Sequence, residues 1–192
     1  MNFRRVIAMG LAAASLSLEA ARAAEIEGVQ FVEQLSVDDE ELRLHSTGLL
    51  RYRVFIKAYV AALYLAESFG GQSTPSAVLA DLPRRLEIEY FWSIRADEFA
   101  KITVEGISRN TDRATFDRLR DRVERLNGMY EDIAPGDRYA LTYLPGVGTE
   151  LARNGRRLGV IEGADFSSAL FAIWLGDEAL DDSLRRQLLA RS

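Results

Sequence analysis

The side chains with the strongest claim to chemistry lie in one stretch, Leu42 to Leu65, reading LRLHSTGLLRYRVFIKAYVAALYL. It carries Arg51, Arg53 and Lys57, the tyrosines Tyr52, Tyr59 and Tyr64, and His45, the only histidine of the chain. Cations that run into an apolar stripe suit an amphiphilic anion, with the head group on the cation and the tail along hydrocarbon. The competing reading is an ordinary strand with a solvated cationic end. A zinc site or Ser-His catalysis would have to be built on His45 alone, and a lone strand histidine is more often structural. With no cysteine there is no thiol nucleophile, no thiolate metal site and no disulfide. Ser167-Ser168 has no base within sequence reach. Gly146-Val147-Gly148 lacks the third glycine and the following helix of a dinucleotide fingerprint, and no Walker pattern occurs. The many carboxylates fall in turns and on helix exteriors, where solvation and capping explain them. No metal and no cofactor is expected.

The element that must position Arg51 and Tyr59 reads as one long strand. Its even positions from Tyr52 to Tyr64 are apolar or aromatic, and its odd positions begin cationic and end apolar. Successive strand side chains point to opposite faces. A strand this long belongs in the centre of a sheet, with layers on both sides for part of its length. Arg51 and Tyr59 share a parity. On a straight strand they stand about 26 Å apart at ~3.3 Å per residue, and only a bend or bulge brings both to one carboxylate.

Around that stretch, Ile26, Val29, Phe31 and Val32 are strand material, and Asp38-Asp39-Glu40-Glu41 is an acidic turn. A loop rich in Gly, Ser and Thr enters a short helix over Ser76–Leu82, ended by Pro83. Leu86, Ile88 and Tyr90 alternate with Glu87 and Glu89 as a half-buried strand. Helices follow over Asp97–Ser108 and after a Thr111 cap, where Phe116, Leu119, Val123 and Leu126 make one apolar face. The opposite face mixes Asp, Arg and Glu, unlike the one-sign face of a nucleic-acid helix. Tyr139, Leu141 and Tyr143 begin a three-strand antiparallel meander whose last turn is Asn154-Gly155, a pair suited to positive φ. A helix from Gly163 or Asp165 to Gly176 carries Phe166, Leu170, Ile173 and Trp174 inward. Asp181-Asp182-Ser183 caps a last helix with Leu184, Leu188 and Leu189. Strands, helices, strands, helices is the order of an α+β fold with an antiparallel sheet.

The 192 residues fit one domain, with 48% apolar residues for its core and a net charge of -5 that offers no global attraction to nucleic acid. Arg4 and Arg5, the short apolar run Val6–Leu18 and Ala21-Arg22-Ala23 form a secretory signal pattern with cleavage after Ala23. The division is residues 1–23 as signal peptide and 24–192 as one domain, in a periplasmic or secreted protein without stable membrane insertion. The apolar run is shorter than the ~20 residues of a comfortable span.

Leu42 and Leu44, Arg51, Phe55, Lys57, Tyr59, Leu63 and Tyr64 resemble the core motif of the chalcone isomerase-like proteins, especially their bacterial branch. The C-terminal part is similar too, in Pro135-Gly136-Asp137, Tyr143-x-Pro145-Gly146, Asn154-Gly155, Ile161, Gly163, Phe166 and Ala169-Leu170-Phe171-x-Ile173-Trp174-Leu175-Gly176. The likeness covers nearly all of the chain after the leader. It implies an open-faced β-sandwich, a large antiparallel sheet covered by a layer of helices with an apolar cleft between. In the plant enzymes an arginine on the central strands polarises the chalcone during ring closure, and Arg51 matches it. The catalytic threonine aligns with Tyr59. A tyrosine there is similar to the non-catalytic branch, whose plastid members bind fatty acids and hold the carboxylate with the arginine and tyrosine. The family's Gly-rich pair is reduced to Ser46-Thr47-Gly48, and the turn that spaces the two residues in the enzymes looks missing. The enzyme's helix-borne tyrosine and asparagine are not assigned to Tyr130 and Asn110. The resemblance thus implies an exported, non-catalytic protein that binds a fatty acid or similar small apolar carboxylate through Arg51 and Tyr59. The alternatives are a chalcone-type isomerase and a partner-binding protein without a ligand pocket.

Overall fold

The computed structural model describes residues 23–53 and 55–191; the leader expected over residues 1–23 lies outside them except for Ala23. The strands are β1 (Ala23–Ile26), β2 (Val29–Val32), β3 (Gln34–Val37), β4 (Glu40–Tyr52), β5 (Ile56–Ala66), β6 (Arg84–Tyr90), β7 (Arg138–Leu144), β8 (Gly148–Arg153) and β9 (Arg156–Ile161). The helices are α1 (Pro75–Val78), α2 (Ala96–Asn110), α3 (Arg113–Asn127), α4 (Ala164–Leu175) and α5 (Asp182–Leu189). Strands β3 to β9 form a seven-stranded sheet in sequence order, antiparallel at every pairing, and β1–β2 is a separate hairpin. This is the α+β open-faced sandwich. The helices cover one face of the sheet, and the β1–β2 hairpin covers part of the other through Val29 and Phe31.

The single long strand expected over Leu42–Leu65 is instead two. The chain reverses at Tyr52–Ile56, with Arg53 at φ 48°, and β5 runs back against β4. Sequence continuity misled because the sequence between β4 and β5 has no Gly, Pro or Asn to mark a turn. Within β5 the alternation holds. Tyr59, Ala61, Leu63 and Leu65 face the helices, while Val60, Ala62, Tyr64 and Ala66 face the hairpin. Both faces are therefore dry, which is why the strand reads as apolar on either parity.

Strand β4 carries an irregularity between Leu44 and Ser46, and Ser46 and Gly48 then turn towards α5. A Cβ on Gly48 would lie 2.7 Å from Leu184 Cδ1 and 3.2 Å from Gln187 Cβ, so this glycine serves a close approach. Ser46 Oγ donates to the Leu188 carbonyl, and Gln187 Oε1 accepts from the Leu49 backbone N–H at 3.0 Å. Among the described residues no strand pairs with the outer edge of β4 beyond Leu44, and α5 bonds to that edge instead.

The short helix is a single turn, and the cap of α3 is Asp112 rather than Thr111, with Asp112 Oδ1 accepting from Thr115 N–H at 2.9 Å. Asn154 and Gly155 take positive φ of 49° and 77°, as the β8–β9 turn requires. Helix α4 is buried on nearly every side, beyond the inner face expected of it: Ser167, Ala169, Phe171, Ala172 and Leu175 are buried along with Phe166, Leu170, Ile173 and Trp174. It packs between the sheet, α2 and α5.

The loop before β7 is fastened by Asp137, whose carboxylate accepts from Ala134 N–H, Arg153 Nη2 and Asn154 Nδ2 at 2.8, 2.8 and 2.7 Å. These donors, the Ala134 amide first, hold its pKa at about 2 against an ordinary 3.8. A carboxylate so depressed contributes stability above 3.8 that disappears as pH falls towards about 2. Asp137→Asn should melt roughly 2–4 °C lower at neutral pH, the shift about 1 kcal/mol gives in a domain of this size. In thermal melts taken from neutral pH to pH 2, the gap to wild type should close at the acid end. A gap independent of pH would assign the loss to packing.

Candidate functional site

The hairpin brings Arg51 and Tyr59 close in the backbone and separates their side chains. Leu50, not Arg51, pairs with Tyr59; a bulge follows, and Arg51 pairs with Lys57. The expected 26 Å separation therefore does not exist, yet the two groups go to different surroundings. Arg51 Nη2 lies 3.2 Å from Glu27 Oε1 in the β1–β2 turn, on the hairpin side of the sheet. Lys57 Nζ takes the other oxygen of the same carboxylate. The Lys57 hydrogen bond, with the charges of Lys57 and Arg51, holds the Glu27 carboxyl below its usual range. The Arg51 side chain is 44% exposed and lines an open groove of about 480 Å³ with Leu49, Ile26, Asp181 and Gln187.

Tyr59 lies inside, between the sheet and α4. Its hydroxyl accepts from Trp174 Nε1 at 3.1 Å. Burial raises its pKa well above the ordinary value, so it keeps its proton at neutral pH and remains a donor. From Tyr59 an aromatic layer extends across the sheet. Tyr90 meets Tyr59 and Phe99 edge-on at 5.4 Å in each case, and Phe99 stacks on Tyr130 at 5.4 Å and meets Tyr139 at 5.2 Å. The Tyr130 hydroxyl bonds Thr103 Oγ1 at 2.9 Å, and burial pushes its pKa up to about 12. Tyr139 Oη accepts from Glu131 N–H and donates to the Glu131 carbonyl, each at 2.8 Å. Leu86, Ile88, Ile102, Leu141, Leu151 and Ile173 complete the lining, and the remaining cavity is about 30 Å³. That holds a water or two and no lipid.

The partners of Tyr59 were visible in the sequence as inward-facing residues but not as one layer. Trp174 read only as part of an apolar helix face, and Phe99 and Tyr130 sit on separate elements that the α2–α3 insertion folds over β6 and β7. Asn110 does not reach the layer. It closes the end of α2, with Nδ2 donating to the Gly106 and Glu178 carbonyls at 3.0 Å each.

Arg84 was missed. It shares the parity of Leu86, Ile88 and Tyr90, and that alternation places it inward. Among the described residues it is the one charged side chain in the buried class, 1% exposed. Nη1 donates to the Ala80 carbonyl at 2.5 Å and to those of Val78 and Leu82 at 3.3 and 3.4 Å; Nη2 donates to Ser167 Oγ at 2.7 Å. The guanidinium lies over Tyr143 and Phe171 at 4.8 and 4.7 Å. Burial lowers its pKa to about 10, which leaves it charged at neutral pH. Arg84 and Tyr90 occupy opposite ends of β6, so this cation stands at the far end of the sheet from the Tyr59 layer.

His45 sits at the β4 irregularity, bonded to Ser73 Oγ at 2.8 Å and edge-on to Phe69, and burial lowers its pKa. Among the described residues no group of three or more His, Asp or Glu is placed to hold a metal ion. None of the described helices is long and apolar enough to cross a membrane.

A β-meander roofed by helices over an aromatic layer defines the class. The family model described as chalcone isomerase-like matches residues 23–190, and the chain belongs to that family. Among solved structures, a fatty-acid binding protein of Arabidopsis thaliana superposes with a TM-score of 0.69 at 15% identity, covering 88% of this chain and 96% of that one. No curated protein sequence matches this chain.

Proposed function

We propose that the protein binds a fatty acid or a comparable small apolar carboxylate between the sheet and helices α2 and α4, without chalcone ring closure, after export to the periplasm or beyond. The observation that carries this reading is the enclosed, mostly apolar aromatic layer next to Tyr59, whose buried O–H still has its proton to give. Trp174 Nε1 uses an acceptor site of Tyr59 and leaves the donor free. The plant structure of the same fold is a fatty-acid binding protein, which supports the ligand class.

Arg51 lines the groove between the β1–β2 turn and α5, across the sheet from this layer, and serves as the cation where the head group emerges at the end of β4 and takes the place of Glu27. The layer is closed at about 30 Å³, against several hundred Å³ for a typical small-molecule site, so binding opens it. The chalcone reading requires a phenolate and a carbonyl held in attack geometry beside a cation. Here the Tyr59 ring fills the position of the family's small hydroxyl, and Arg51 is turned to the other side of the sheet.

The test is gentle extraction of the purified protein for mass spectrometry, followed by palmitate titration read by tryptophan emission. A bound carboxylate should be recovered. Tyr59→Phe should weaken palmitate by about tenfold or more, the scale of one hydrogen bond to a charged group. Arg51→Ala should weaken it more than Lys57→Ala. No bound acid and no titration would overturn the carrier reading. Stereoselective turnover of a chalcone above the uncatalysed rate, lost in Arg51→Ala, would replace it with the isomerase. Export is read separately, by N-terminal sequencing of the accumulated protein, which should begin near Ala24.

A further inference from the structure

The end of the sheet where β4 turns into β5 departs from the rest of the surface. Phe55 is 88% exposed, Trp92 57%, Tyr52 56% and Ile56 40%. Phe55, Ile56 and Trp92 line one shallow groove with Phe91, Lys57 and Glu27, and Trp92 is fixed there by Nε1 donating to the Lys57 carbonyl at 2.8 Å. Soluble surfaces scatter apolar side chains singly; aromatics gathered at one projecting tip mark a contact. The charges at the tip are net positive. Residues 51–57 supply Arg51, Arg53 and Lys57 and no carboxylate, in a chain whose net charge is -5. Arg51 and Lys57 share the single carboxylate of Glu27, so the group stays net positive, and the Arg53 guanidinium lies 5.3 Å from the Tyr52 ring centre.

We propose that this tip, with Tyr52, Phe55, Ile56 and Trp92 projecting beside Arg51, Arg53 and Lys57, docks on the surface of an anionic phospholipid bilayer. Tryptophan and tyrosine favour the interface between head groups and acyl chains, and phenylalanine and isoleucine favour the region just beneath. Arginine and lysine flanking them meet lipid phosphates. An acidic protein is repelled by an anionic surface everywhere except at a basic patch, so the same field that weakens other orientations selects this one. Docking does not depend on the ligand reading. Where that reading holds, the groove beside Arg51 opens next to the bilayer, and the membrane is the source or destination of the apolar carboxylate.

The experiment uses the full chain with vesicles of mixed phosphatidylcholine and phosphatidylglycerol carrying brominated acyl chains, which quench tryptophan at the depth of the bromine. The chain has two tryptophans, and Trp174 is buried, so quenching reads Trp92. Wild type should show a blue shift and bromolipid quenching, both lost in Trp92→Phe. Phe55→Ser should lower partitioning by roughly tenfold, the scale of one exposed aromatic removed from apolar surroundings. Arg53→Glu and added salt should weaken it, and pure phosphatidylcholine should bind less. The apolar residues Val6–Leu18 are common to every variant, so differences belong to the tip. Unquenched Trp92, or equal partitioning of wild type and Phe55→Ser, overturns the proposal. So does a sedimentation mass that doubles in wild type but not in Phe55→Ser without quenching, which would make the tip a contact between copies. Docking with neither a recovered acid nor a palmitate titration would overturn the carrier reading and leave this one standing.

Discussion

Arg84→Ala should destabilise the protein by about 3–5 kcal/mol, the range for breaking a buried charged network. The guanidinium is the common donor for Ala80, Val78 and Leu82 carbonyls and for Ser167 Oγ, and its removal leaves them without it. It also leaves a hole between Tyr143 and Phe171, whose faces lose their cation. Arg84→Met separates the two contributions. Methionine refills much of the volume but donates nothing, so the acceptors that lose the guanidinium, of which the Ala80 carbonyl keeps the Leu82 N–H, should still cost about 1–3 kcal/mol. Chemical denaturation of both variants is the measurement. If Met matches wild type, the network contributes nothing beyond packing; if Ala does so too, the site is not dry. Neither variant should change palmitate affinity at temperatures where it is folded, because Arg84 lies at the far end of β6 from Tyr90 and Tyr59.

The contact between α2 and α4 should be nearly as sensitive. Gly106 faces Ile173, and a Cβ there would lie 2.7 Å from its Cγ1 and 3.0 Å from its Cγ2. Ile173 is fully buried and has little room to give. Gly106→Val should cost about 2–3 kcal/mol, the overpacking loss less a few tenths regained in helix propensity. Gly106→Ala should cost less than half as much, since alanine recovers up to about 1 kcal/mol of propensity over glycine. Urea titration reads both. The same wedge tilts α2 away from α4 and moves Thr103 and Phe99, which close the aromatic layer, so palmitate affinity should change in Val and hold in Ala. Equal stability of all three chains would show that the two helices are not in close contact at Gly106.

These two sites divide by how much of them the sequence shows. Arg84 follows from strand alternation once β6 is placed, because it has the parity of Leu86, Ile88 and Tyr90; the signal was present and the rarity of buried arginine hid it. Gly106 has no such signal. A glycine inside a helix means close approach or nothing, and only the packing of Ile173 against it decides which.

For the protein as a whole, the chain order determined the class. Alternation in β6 and β7, the Asn154-Gly155 turn and the three-and-four spacing of α3 each act over a few residues, and the structure contains all of them. The family resemblance in Leu42–Leu65 and in Ala169–Gly176 was likewise legible, as motifs. Pairing was not. Leu42–Leu65 has the composition of one strand, and its reversal at Arg53 depends on β5 finding β4 on one side and β6 on the other. Arg51 and Tyr59 follow from that pairing. Parity on a single strand put them on one face and far apart, whereas the hairpin and its bulge put them side by side in the backbone with Arg51 on Glu27 and Tyr59 on Trp174. Those partners lie 24 and 115 residues away. Local propensity extends over a turn or a few alternations; which distant side chain completes a buried hydroxyl or a surface cation is settled only when the layers close.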